Sequence, residues 1–230
     1  MSQITDWLPS LLAGLLVTIE ITFAAMALAL VLGIILATMR LESRQRWLYI
    51  PATIYIELIR GTPLILQLFF VYFAMPSLGI RLDPFLAGVL AIGVNYSAYL
   101  SEVFRSAIRA VPRGQWEAAY SVGLPWTLIM WRIIFPQAGR IALPATGNYF
   151  IGLFKDSALA STISVTELLF SGQILASQTF QYFAIYGVVA LLYFLVSYPA
   201  SLALRALERR IDLTSRRRSE PRPVERTTYA

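Results

Sequence analysis

The sequence predicts an all-α membrane protein with five transmembrane helices, and three observations carry this prediction. Hydrophobic residues make up 57% of the 230 residues and charged residues only 14%, whereas soluble domains have roughly 45–50% and about 25%. The apolar residues are grouped in long runs, and the basic residues follow alternate runs. This pattern indicates a chain that faces lipid rather than one built around a water-soluble core.

Five apolar runs reach the length of about 20 residues that a helix needs to cross the hydrocarbon core. The predicted spans cover residues 11–39, 54–75, 84–104, 141–165 and 183–204. Pro63, in the second span, has no N–H for the carbonyl four residues before it, so we expect a kink there. Two interpretations of that kink stay open, a hinge or gate element and a static bend.

The basic residues predict the orientation, because Lys and Arg in short loops are retained in the cytoplasm. Almost all of the 19 basic residues lie after spans one, three and five. We therefore expect the N-terminus outside and the C-terminus in the cytoplasm. Residues 1–10 would form an extracytoplasmic arm, and residues 11–207 a transmembrane domain with a cytoplasmic loop at 105–140. Residues 208–230 would form a basic cytoplasmic tail, disordered and drawn to anionic headgroups.

Composition also excludes several kinds of chemistry. Cys and His are both absent, which removes disulfides, Cys/His zinc sites and His-containing triads. Lys155 is the single lysine, and the residues before it do not form a phosphate-binding loop. We therefore expect neither an enzyme nor a protein with its own cofactor or metal. If ATP drives this protein, another chain hydrolyses it.

The loop between the third and fourth spans contains an unusual segment, residues 114–126. Gly123 can adopt the left-handed conformation that ends a helix, and Pro125 suits the first turn of the next helix. Ala118 and Ala119 leave a small, smooth surface beside the charge of Glu117. The segment thus predicts two short helices with a break, which can dock into a groove on a soluble partner. The alternative is an interfacial hairpin that caps the bundle.

This segment resembles the coupling loop of the permease subunits of ABC importers. The family pattern is Glu-Ala-Ala, three residues, Gly, nine residues, then Ile-x-Leu-Pro. It maps onto Glu117, Ala118, Ala119, Gly123, Ile133, Phe135 and Pro136. Phe135 replaces the usual leucine, a change that should affect packing more than docking. Four segments narrow the resemblance to the polar amino-acid uptake branch, at residues 60–64, 114–119, 136–138 and 155–159.

The resemblance implies the type I ABC importer permease fold in the bacterial inner membrane. It also implies an ATPase dimer beneath two permease chains, identical or related, and an extracytoplasmic binding protein that delivers the solute. ATP would be bound by the partner subunit. By the same resemblance, Glu117, Ala118, Ala119 and Gly123 would transmit closure of the ATPase to the membrane helices.

Ionisable groups inside spans are costly, by about 2.5–3.5 kcal/mol at a helix centre, and so usually have a partner or a task. The candidates for the solute path are Lys155, Asp156, Glu57, Arg60 and Glu167. Lys155 and Asp156 point about 100° apart on a helix, so either the helix is interrupted there or each charge faces a different partner. A site with both signs suits an amino acid, which carries both. The alternative is that Lys155 and Asp156 form structural pairs, for instance with Glu57 or Arg60.

Two further groups, Glu20 and Glu102, lie nearer the span ends and are interpreted as structural. The function predicted is the permease subunit of an importer for a polar amino acid. The main alternative is an ion-coupled secondary carrier that uses the same intramembrane charges. The sequence does not identify the solute, and it does not distinguish a homodimer from a heterodimer.

Overall fold

The computed structural model describes the backbone of residues 2–41 and 46–219 and the side chains of residues 6–41 and 46–210. This part of the chain is helical throughout its regular structure and contains no β-strand. The α-helices are α1 (Ser2–Met39), α2 (Arg46–Arg60), α3 (Leu64–Phe69), α4 (Pro84–Arg109), α5 (Arg113–Ser121), α6 (Trp126–Ile129), α7 (Phe135–Asp156), α8 (Leu168–Thr179) and α9 (Tyr182–Ser219). Shorter π-helical or 3-10 turns continue some of them, at Phe70–Ala74, Met75–Leu78, Met130–Ile134 and Ser157–Ile163. The predicted fold class is confirmed.

The spans are of two kinds. Over the described residues, α1, α4 and α9 are each long and apolar enough to cross a membrane alone. Two further pairs pass the same test only when their halves are taken together. Arg46–Arg60 and Leu64–Leu78 meet at 105°, and Trp126–Ile163 and Leu168–Thr179 meet at 50°. Counted with each bent pair as one span, the described residues contain up to five spans, as the sequence predicts.

Helices also occupy segments that the sequence assigns to an arm, a loop and a tail. Helix α1 begins at Ser2, so residues 2–10 of the predicted arm are helical, and Trp7 and Leu11 are buried against α8 and α9. Helix α8 occupies most of residues 166–182, which the sequence leaves as an external loop between spans four and five. With 12 residues it is too short to be recognised as a span. Helix α9 continues to Ser219, so the first part of the tail expected to be disordered is helical. The rest of that tail lies outside the described residues, as does Arg44, one of the basic residues that follow the first span.

Helix α4 is the centre of the bundle. Of its membrane-crossing window 67% is buried, against 11% for α9, and α1, α2, α3 and α7 all pack against it. Glycines let the α1 and α4 backbones approach closely. A Cβ at Gly93 would lie 2.7 Å from Leu28 Cδ2 and 3.0 Å from the Ala25 carbonyl oxygen. This close contact fixes α1 along the length of the central helix.

An ion cluster holds the far end of the same helix pair. The Glu102 carboxylate on α4 accepts hydrogen bonds from Arg40, just after α1, and from Arg105, whose Nε lies 3.1 Å from Oε2. Arg40 is buried, and its guanidinium carbon lies 5.8 Å from the centre of the Tyr49 ring on α2. The structural interpretation of Glu102 is therefore confirmed.

We expect Gly93→Leu to destabilise the protein by roughly 1–3 kcal/mol, because the new side chain overpacks the contact between α1 and α4. Thermal stability of the detergent-solubilised protein, followed as the fraction that stays monodisperse after heating, measures the loss. Gly187→Leu on α9 is the matched control, since no atom lies within 4 Å of the position of its Cβ. Equal heat resistance of the two variants would contradict this account of the packing.

Candidate functional site

A cleft of about 500 Å³ opens where the bent second span, α4 and α7 meet. Its polar lining consists of Arg60, Thr62, Asn95, Asp156 and three tyrosines, Tyr96, Tyr99 and Tyr149. The volume is within the range of roughly 300–1,000 Å³ typical of small-molecule sites. The cleft therefore combines both signs of charge with aromatic surface inside a membrane-spanning bundle.

The bend that forms one wall of the cleft follows from the sequence 61–63. The Gly61 N–H makes the last hydrogen bond of α2, to the Glu57 carbonyl oxygen at 2.8 Å. Pro63 then takes an extended conformation, with φ −63° and ψ 140°, before α3 begins. The Thr62 hydroxyl donates to the Leu58 carbonyl oxygen at 3.0 Å, which gives one freed carbonyl a partner. The predicted kink is confirmed, and it is a full change of direction rather than a slight bend.

Tyrosines hold both charges that line the cleft. The Tyr96 hydroxyl donates to Asp156 Oδ2 at 2.7 Å. The Arg60 guanidinium carbon lies 5.5 Å from the centre of the Tyr99 ring, a cation–π distance. The ring of Tyr149 contacts both of these tyrosines, since its centre lies 6.2 Å from that of Tyr96 and 6.0 Å from that of Tyr99. Each charge thus has a neutral partner and keeps its capacity to bind an opposite charge.

The structure separates the other predicted charges from this cleft. Helix α7 ends at Asp156 and a 3-10 segment follows, so the fourth span is interrupted there. Lys155 and Glu57 are exposed and do not line the cleft. Within residues 6–41 and 46–210, neither Lys155 nor Asp156 forms an ion pair with Glu57 or Arg60. The structural pairing considered as an alternative is therefore not formed in this chain.

Glu167, which the sequence also places in the solute path, lies outside the lining of this cleft. Its side chain is 0% exposed and caps the start of α8. The carboxylate accepts from the Leu169 N–H at 2.9 Å, the Phe170 N–H at 2.7 Å and the Tyr193 hydroxyl at 2.8 Å. Thr18 of α1 contributes a longer contact of 3.4 Å. Glu167 therefore joins α8 to α1 and α9, because an isolated buried carboxylate needs such donors.

The predicted hairpin is formed by α5, a tight turn and α6. Gly123 has φ 75°, in the left-handed region. The Leu124 N–H donates to the Ala119 carbonyl oxygen at 3.3 Å, and the Gly123 N–H to that of Tyr120 at 3.0 Å. This is the paired arrangement of a Schellman helix end. Pro125 directly precedes α6, and from there the chain runs on through a π-helical turn into α7.

Only part of the predicted docking surface is free. Glu117 and Ala118 are exposed, and so is Gly123. Ala119 is buried, and it belongs to a cluster that includes Ile129. Ala119 therefore anchors the hairpin instead of contributing to its outer surface, because it turns about 100° from Ala118 around the helix.

Sequence reasoning missed the uncharged residues of the cleft. Tyr96 and Tyr99 are three apart on α4, and Asn95 precedes them, so these polar groups share one stretch of an otherwise apolar span. Polar side chains at such positions are themselves a signal, since they need partners in lipid. Tyr149 has no comparable signal, because only the packing of α7 against α4 brings it to them.

Comparison with known proteins gives a consistent result. Residues 29–213 match the family described as "Binding-protein-dependent transport system inner membrane component". A probable amino-acid ABC transporter permease protein of Sinorhizobium fredii is 42% identical over 214 residues, 93% of this chain and 90% of that protein. The L-cystine transport system permease protein of Bacillus subtilis is 37% identical over 207 residues, 89% of this chain and 87% of that protein.

A solved structure is similar over most of the chain. The crystal structure of an amino acid ABC transporter with histidines has a chain that superposes with a TM-score of 0.83 at 38% identity. The match covers 90% of this chain and 97% of that one. The helical arrangement described above is therefore one already observed in a transporter.

We expect Glu167→Gln to lower the stability of the protein by roughly 1–3 kcal/mol, because a neutral amide cannot accept from all of the donors that now face the carboxylate. Heat inactivation of the solubilised protein measures this change. Glu20 is exposed on α1 and has no hydrogen bond or ion pair among the described residues, so its predicted structural role is not supported and Glu20→Gln should leave stability unchanged. If Glu167→Gln is as stable as the original protein but defective in transport, the result would support the prediction that Glu167 belongs to the solute path.

Proposed function

The chain belongs to the family of binding-protein-dependent transport system inner membrane components, and we propose that the solute it passes across the membrane is a polar amino acid. As a member of this family it is the permease subunit of an ABC importer, a multi-pass protein of the inner membrane that works with ATPase subunits. The permease itself is not an enzyme. The ion-coupled carrier that the sequence left as an alternative is not supported.

One observation carries the choice of solute. Asp156 and Arg60 line the same cleft, and neither charge is neutralised by an ion pair among the described residues. An amino acid presents an α-ammonium to a carboxylate and an α-carboxylate to a guanidinium, which can bind it through two parallel hydrogen bonds. The Tyr96 hydroxyl, which donates to Asp156, would hold that carboxylate in place. The amino-acid transport named for the relatives of this chain supports the same choice.

The proposed assembly places two permease chains side by side, identical or related, above an ATPase dimer that binds the ATP. An extracytoplasmic binding protein would deliver the solute. The cleft is open on one side, and its charged residues Arg60 and Asp156 are exposed in the single chain. A charge in lipid is costly, so a second permease chain is the natural cover for this face. The binding protein and the second chain would both contribute to the selection of the solute.

The hairpin around α5 is the proposed contact with the ATPase. Glu117 and Ala118 present a small charged surface, and Gly123 permits the sharp turn behind it. The basic residues that flank the hairpin favour a cytoplasmic position, as the ATPase requires. Closure of the ATPase would push the hairpin and shift the helices that line the cleft.

We expect Gly123→Val to uncouple ATP hydrolysis from uptake, because a β-branched residue is strained at φ 75° and would distort the turn that carries the proposed contact. The measurement is solute transported per ATP hydrolysed, in liposomes that contain the whole importer. Gly79→Val is the matched control, since Gly79 has φ 84° and no atom within 4 Å of the position of its Cβ. The control has similar strain away from the hairpin and should keep the transport ratio. An unchanged ratio in Gly123→Val would argue against the coupling role.

We expect Asp156→Asn and Arg60→Gln each to reduce amino-acid uptake roughly 10- to 100-fold, the effect of losing a hydrogen bond to a charged group. Lys155→Gln should reduce it less, because Lys155 does not line the cleft. Each variant is tested with a panel of amino acids in the same liposomes. Wild-type uptake by both cleft variants, for every amino acid that the importer carries, would rule out this site.

A further inference from the structure

Gln67 replaces a hydrogen-bond donor that Pro63 removes from the second span. In an uninterrupted helix the N–H of residue 63 would donate to the carbonyl oxygen of Ile59, four residues earlier, but proline has no N–H. Gln67 Nε2 lies 2.9 Å from that carbonyl oxygen and 2.8 Å from Thr62 Oγ1. A side chain on α3 thus reaches back across the bend and satisfies the last turn of α2.

The orientation of the Gln67 amide follows from its partners. The carbonyl oxygens of Ile59 and Thr62 can only accept, so the amide nitrogen must face them. Oε1 then faces α4, where it accepts from Asn95 Nδ2 at 3.1 Å. This contact fixes the Asn95 amide as well. Its own oxygen has no donor among the side chains that the structure describes.

Asn95 connects this arrangement to the cleft. It lies on α4, is 5% exposed and belongs to the cleft's polar lining. Arg60 is the last residue of α2, directly before the bend. The angle between α2 and α3 therefore sets where the guanidinium lies relative to Asp156, and the Gln67–Asn95 pair connects that angle to the opposite wall.

We propose that Gln67 is a positioning residue of the cleft: its amide holds the 105° bend, and Asn95 links the bend to the wall that the solute would contact. The inference rests on the proposed function only in taking the cleft as the solute's site. A solute that donates to the free Asn95 oxygen would act on the same chain of hydrogen bonds. The bend is then held by side chains of the cleft's surroundings and is not a consequence of Pro63 alone.

The bend can be measured without any solute. The chain has no cysteine, so cysteines introduced at Ile54 and Phe73 carry the only spin labels. Both positions are 60% exposed, one on α2 and one beyond α3. In Gln67→Met we expect the fraction of molecules with label distances outside the original distribution to rise roughly tenfold, the net effect of losing its part-buried hydrogen bonds. Gln178→Met, at an exposed position on α8, should leave the distances unchanged.

A second substitution distinguishes positioning from general damage. Pro63→Ala supplies a backbone N–H four residues after Ile59, so in that background Gln67→Met should lose most of its tenfold effect. If the two effects are independent, or if Gln67→Met leaves the distances as they were, the proposal is overturned. Should Gln67→Met fail to assemble, Asn95→Leu tests the same hydrogen bonds, and an unchanged distribution there would also overturn it.

Uptake separates this proposal from the function on which it rests. Gln67→Met should both reduce uptake and change the label distances. The control, Gln178→Met, should leave uptake and label distances unchanged. Reduced uptake at an unchanged distance would make Gln67 a direct solute contact and contradict the positioning role. If the unsubstituted importer carries no amino acid, the proposed function fails, while the label distances still test the bend.

Discussion

Backbone polar groups in lipid must find their partners inside the protein, and this constraint governs the two spans that are not straight helices. At the bend of the second span the side chains of Thr62 and Gln67 donate to carbonyl groups that the helix no longer serves. At the start of α8 the Glu167 carboxylate accepts from the freed N–H groups. At both interruptions, side chains thus supply the hydrogen-bond partners that the backbone lacks. The first interruption forms one wall of the cleft, and the second joins α8 to α1 and α9.

The treatment of charge follows the same logic and separates structural groups from candidates for function. Glu102 is bound by two arginines, and Glu167 by backbone amides and a tyrosine. Arg60 and Asp156 instead have neutral aromatic partners, which orient a charge without cancelling it. Charged groups with full complements of partners hold helices together here. The charged groups that lack such partners, Arg60 and Asp156, line the cleft, where the charges of a solute can reach them.

The sequence predicts most of the helices but less of the site. Apolar run length is a local property, so the long spans could be recognised, and Gly123 could be assigned a left-handed turn from its neighbours alone. Helix α8 was missed because its length gives no spanning signal. No local pattern predicts that Glu167 joins three helices, because two of its donors, Thr18 and Tyr193, come from α1 and α9, distant in sequence. The tyrosines of the cleft likewise meet only through tertiary packing, which no spacing rule records.

Burial of Ala119 has a mechanical consequence. Its cluster also contains Ala107 and Ile108 from α4, Ile129 and Met130 beside the turn, and Ala138 and Ala142 from α7. The hairpin, the end of α4 and the start of α7 are therefore packed as one rigid unit. Because α4 and α7 both line the cleft, a force on the hairpin would move two walls of the cleft together. The bent span forms the remaining wall and contributes no described residue to this cluster, so the passage would widen or narrow between it and the two walls that move.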